Sequence, residues 1–84
     1  GEYKRIFDLV DKKFGFDKKI PVEPLTSNKG DVTIEITGVS PKDNKIDFQL
    51  RRANPQFKIK NGRAKLSTIE KLISNYQLFD PFED

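Results

Sequence analysis

Two pairs of carboxylates are the residues best suited to do chemistry in this chain. Asp8 and Asp11 stand three positions apart, and Asp43 and Asp47 four. Paired acids can carry out general acid–base work or hold Mg²⁺. Each of these acids has basic sequence neighbours in a polar stretch, so a solvated role is expected for all four. The chain contains no His and no Cys. Ser-His-Asp and Cys-His arrangements are therefore excluded, and zinc loses its commonest ligands. A serine–lysine dyad needs a dry site that depresses the lysine pKa, and the sequence marks none. The five glycines stand far apart, which rules out a phosphate-cradling loop. Asp43-Asn44-Lys45 lacks the glycine and terminal glutamate of a calcium loop. The expectation is a non-enzyme with no metal, no cofactor and no small-molecule substrate.

The cations are more informative. Net charge is only +3, yet residues 1–41 are balanced, residues 42–71 carry nine basic against three acidic side chains, and residues 72–84 carry three acids. Such asymmetry bears on partners rather than on fold. Asn61-Gly62 is the favoured pair for a two-residue hairpin turn, because both positions tolerate positive φ. A turn there would set Lys60 opposite Arg63, Ile59 opposite Ala64, Lys58 opposite Lys65 and Phe57 opposite Leu66. Phe57, Ile59, Ala64 and Leu66 would then face the core. Lys58, Lys60, Arg63 and Lys65 would project together from the other side, flanked by Arg51 and Arg52. Like charges directly opposite on a sheet cost something under about 1 kcal/mol per pair.

Two explanations fit such a face. One is an anionic partner, most commonly nucleic acid, with an acidic or phosphorylated protein as the other anion. The second needs no partner, since lysines keep an exposed hairpin from aggregating. Phe48 and Phe57 read as core residues by their phase, so no base-stacking platform is expected, and nucleic acid would be held by its backbone with weak sequence preference. The alternative function is a protein-interaction domain of a larger multidomain protein. It would use the 16–30 loop or the acidic, aromatic tail 79–84, which is expected either to dock or to hang free.

The elements that would position these residues follow from periodicity. Tyr3, Ile6, Phe7, Val10 and Phe14 share one face of a helix over 2–14. Glu2 suits its start and Lys12 and Lys13 its end, and Gly15 supplies a left-handed cap. Pro21 and Pro24 exclude a regular helix from 16–30, leaving a long connection with a turn over 26–30. Phe16, Ile20, Val22 and Leu25 are expected to tie it to the core, with room for a short edge strand. Val32, Ile34 and Ile36 alternate inward, as do Ile46, Phe48 and Leu50, around a turn at 40–44. Asn54-Pro55 breaks the second of these strands. Ser67 with Glu70 forms a capping box for a helix over 68–78 buried through Ile69, Leu72, Ile73 and Tyr76.

Leu66-Ser67-Thr68-Ile69-Glu70-Lys71-Leu72-Ile73-Ser74-Asn75-Tyr76 resembles the last helix of SH2 domains, and Phe57-Lys58-Ile59 the strand leading to it. The likeness covers under a quarter of the chain. The family's phosphotyrosine arginine has no counterpart in Val32-Thr33-Ile34-Glu35-Ile36. The order helix, three strands, helix also resembles a double-stranded-RNA-binding domain, but the place of that family's lysine cluster reads Ser67-Thr68-Ile69-Glu70. Neither resemblance assigns a family.

The expected architecture is one α+β domain spanning 1–84: an N-terminal helix, a long loop, a three- to four-stranded antiparallel sheet and a C-terminal helix, with both helices on one sheet face. The domain is expected to be excised from a longer protein. No stretch is long and apolar enough to span a bilayer, and no membrane partner is expected. The lack of cysteine leans toward an intracellular setting.

Overall fold

The computed structural model describes residues 2–23, 32–54 and 56–76; the side chains of Glu2 and Tyr3, the expected turn over 26–30, Leu25, Pro55 and the tail from 77 onward fall outside the described residues. Helix α1 (Glu2–Lys13) buries Val10 completely, with Ile6 and Phe14 packed against the core. Phe7 departs from the expected stripe: it is 36% exposed and stacks on Phe16, ring centroids 4.4 Å apart. Gly15 ends the helix at φ +79°, and its N–H donates to the Val10 carbonyl at 3.2 Å. That left-handed conformation strains any residue with a Cβ, so the cap is specified by the glycine itself.

The connection after α1 is tied down as the apolar residues suggest. The Asp17 N–H donates to the Ile36 carbonyl at 3.1 Å, and β1 (Lys19–Pro21) then pairs antiparallel with β2 (Val32–Ser40), setting Ile20 opposite Ile34. Pro21 is tolerated because β1 is an edge strand. Val22 is fully buried, and the Glu23 N–H donates to the Ile73 carbonyl at 3.0 Å.

Strands β2 and β3 (Lys45–Arg52) form the centre of a four-stranded antiparallel sheet. Asn44, at φ +53°, closes the turn between them and donates its N–H to the Pro41 carbonyl at 3.3 Å. Asn tolerates this region better than most residues. The register runs Ile36 opposite Phe48, then Gly38 opposite Asp47, so Thr37 is the extra residue of a bulge. The extra residue reverses the phase and returns Val39 to the core side, where it is buried.

The segment after β3 differs from the sequence expectation. No turn forms at Asn61-Gly62. Residues Lys58–Ala64 make one uninterrupted strand, β4, antiparallel to β3 from Arg52 opposite Lys58 to Ile46 opposite Ala64. The reversal falls instead between Arg52 and Lys58. Two physical reasons favour this outcome. Pairing along β3 forms a ladder of seven residue pairs, against four for the short hairpin. Gly62 also leaves room for a ring: a Cβ there would meet Phe48 Cζ at 2.6 Å. Gly62 therefore serves packing, not a turn.

The expected capping box is likewise absent. Helix α2 (Leu66–Asn75) starts ahead of it, with Lys65 as the N-cap residue and no side-chain cap bond. Its Ile69 and Leu72, together with Tyr76, join Val10 of α1 in a single buried cluster with Ile34, Ile36, Ile46, Phe48 and Leu50. Both helices thus cover one sheet face, and Lys13 of α1 reaches Glu70 of α2 at 3.5 Å. Among the described residues no helix is long and apolar enough to cross a membrane.

Candidate nucleic-acid interface

The altered pairing sorts the six expected cations onto different sides of the molecule. Side chains alternate along a strand. Lys58, Lys60, Gly62 and Ala64 are therefore in phase with Arg52, Leu50, Phe48 and Ile46 opposite them, on the helix-covered side. Ile59, Asn61 and Arg63 share the open face with Arg51, Gln49 and Asp47. Lys65 leaves the sheet as the N-cap residue of α2. The expected face of four aligned cations does not exist.

Arg63 is also engaged. Its Nε donates to Asp47 Oδ1 at 2.6 Å, and its Nη1 lies 3.9 Å from Asp43 Oδ2. The Asp47 hydrogen bond, and then the charge of Asp47, raise the Arg63 pKa above its usual value. The guanidinium stays charged, but an acid already balances it. The Ser40 hydroxyl donates to the other Asp47 oxygen, Oδ2, at 3.4 Å, and no three acids gather into a metal site among the described residues.

What the fold does bring together is the end of the β3–β4 hairpin. Arg51 and Arg52 leave β3 there, and Lys58 and Lys60 enter β4. Arg52 and Lys58 stand directly opposite each other, which is unfavourable for like charges. Arg52 Nε donates to the Gln56 carbonyl at 3.3 Å, bracing the connection. Between Phe48 and Ile69 the sequence holds six cations and no Asp or Glu.

Two residues expected in the core lie at this end, exposed. Phe57 is 62% exposed and Ile59 45%. The Arg51 guanidinium sits over the Phe57 ring, 5.6 Å from its centroid, within range of a cation–π attraction. The expectation that aromatics do not mix with the cations is thereby corrected. The observed register, with Arg52 opposite Lys58, is what puts Ile59, Asn61 and Arg63 in phase with Arg51; a two-residue bend at Asn54-Pro55 would have given the opposite phase. Further along the open face, Gln49 Nε2 donates to Asn61 Oδ1 at 3.2 Å.

Compared with models of known protein families, with curated proteins and with solved structures, the chain matches none of them.

Proposed function

We propose that the chain is a non-catalytic binding module that engages an anionic partner, the backbone of nucleic acid, through the end of its β3–β4 hairpin. One observation carries the proposal: Arg51, Arg52, Lys58 and Lys60 flank a single bend, Arg51 on the open face and the other three on the helix-covered side, in a stretch of sequence without an acid. Opposed like charges raise the energy of the free protein, and a phosphate chain lying across them relieves that cost. Lysines that only block edge-strand aggregation gain nothing from an arginine directly opposite.

The test is a binding titration against generic DNA and RNA at two salt concentrations. Lys58→Glu with Lys60→Glu should weaken binding, and the lost contacts should flatten the slope of log affinity against log salt by about 1.4 on a single strand. Arg63→Gln should change affinity little, because Asp47 already engages that side chain. Equal binding by the double variant and the parent contradicts the proposal.

A second reading rests on a different observation. β4 is an edge strand, and no described strand pairs with its outer side. An extended acidic peptide would suit that edge. Its binding would respond to the same charge reversals, so competition between peptide and nucleic acid separates the two.

A further inference from the structure

The exposed ring at the hairpin end narrows the class of nucleic acid. Phe57 precedes β4 on the open-face side, with most of its surface in solvent. Arg51 lies over the ring, and Ile59 follows two positions along, 45% exposed. A small domain that leaves this ring outside, beside a group of cations, offers both halves of a single-strand site: a flat apolar ring for a base and positive charge for the backbone. We propose that this platform accepts a single-stranded nucleic acid, one unpaired base stacking on Phe57 while the neighbouring phosphates reach Arg51 and, over the β4 edge, Lys58 and Lys60. The proposal rests on the anion-binding function above and adds the stacking.

The charge around the ring suits this occupant. The strands place two described acids on the open face, Glu35 and Asp47; Lys19 stands opposite Glu35, and Arg63 lies opposite Asp47 and also reaches Asp43 of the β2–β3 turn. Neither shares a row with Arg51, which is paired with Thr33 on one side and Ile59 on the other. A paired duplex buries its base faces within its own stack, so Phe57 would gain nothing from it. A single strand presents those faces freely. Charge alone favours the duplex, whose phosphates are denser. A preference for single strands is therefore a sign of stacking and not of electrostatics.

Three probes test this by fluorescence anisotropy: a short oligonucleotide with its bases, an abasic strand of the same length, and a blunt duplex. The parent should bind the base-bearing strand most tightly. Phe57→Ala should lower that affinity roughly tenfold and leave abasic and duplex binding unchanged. Phe57→Tyr, which keeps a ring, should restore it. Because Phe57 is exposed, the variants should fold, and their melting temperatures check that they do. If the parent binds the abasic strand as well as the base-bearing one, or Phe57→Ala matches the parent on all three probes, stacking is wrong while charge-driven binding stands. Failure of the parent to bind any of the three at low salt overturns both.

Discussion

At the scale of single residues, Gly62 shows how one residue type can serve two structures. Asn-Gly between apolar residues is a strong local turn signal, and here a long-range contact overrides it. The Phe48 ring occupies the space a Cβ would need, and Phe48 itself is nearly buried. Gly62→Ala should therefore force the ring aside and cost about 1–3 kcal/mol, as overpacking does. Asn61→Ala removes only an exposed hydrogen bond to Gln49 and should cost less than about 0.5 kcal/mol. A type I′ turn would make both variants costly, since it needs positive φ at the asparagine as well as at the glycine. Thermal melts of the two variants discriminate: a large drop for Asn61→Ala contradicts the strand. Ser67 and Glu70 teach the same lesson, because the chain enters α2 at Leu66 and leaves no role for the box.

Among the elements, those with unbroken periodicity were legible in the sequence. Ile6, Val10 and Phe14 of the α1 stripe, the Gly15 cap, the inward alternation of β2 and β3 and the buried residues of α2 follow from pattern alone, while Phe7 leaves the stripe to stack on Phe16. The candidate site was less legible. Its residues sit where two possible bends competed, at Asn54-Pro55 and at Asn61-Gly62, and local chemistry favoured the wrong one. What decides between them is the length of the ladder that β3 offers, a tertiary quantity. The sequence aligns Lys58, Lys60, Arg63 and Lys65 on one face with Arg51 and Arg52 beside them, whereas the fold separates Arg63 and Lys65 from the rest and leaves Phe57 and Ile59 exposed. The sheet depends on β3, which lies between β2 and β4. Leu50 in that strand is fully buried, so Leu50→Ala should cost about 2–5 kcal/mol. For a chain of this size that is a large share of a total of roughly 4–13 kcal/mol. Denaturant unfolding would check it, and a cost below about 1 kcal/mol would place Leu50 outside the core.

For the molecule as a whole, the pairing of β4 decides which side each charge occupies. On β3, it places Lys58 and Lys60 with Arg52 on the helix-covered side, and Arg63 with Asp47 on the open face. The hairpin end then becomes a place where cations and an exposed ring meet. Folded back on itself at Asn61-Gly62, the same segment would put all four cations on one face and hide Phe57. The functional proposals above depend on the first arrangement. Cross-strand nuclear Overhauser contacts between backbone protons report it most directly. Contacts joining Phe48 to Gly62 and Leu50 to Lys60 are the result expected here. Contacts joining Ile59 to Ala64 and Lys58 to Lys65, with none from either segment to β3, would contradict it.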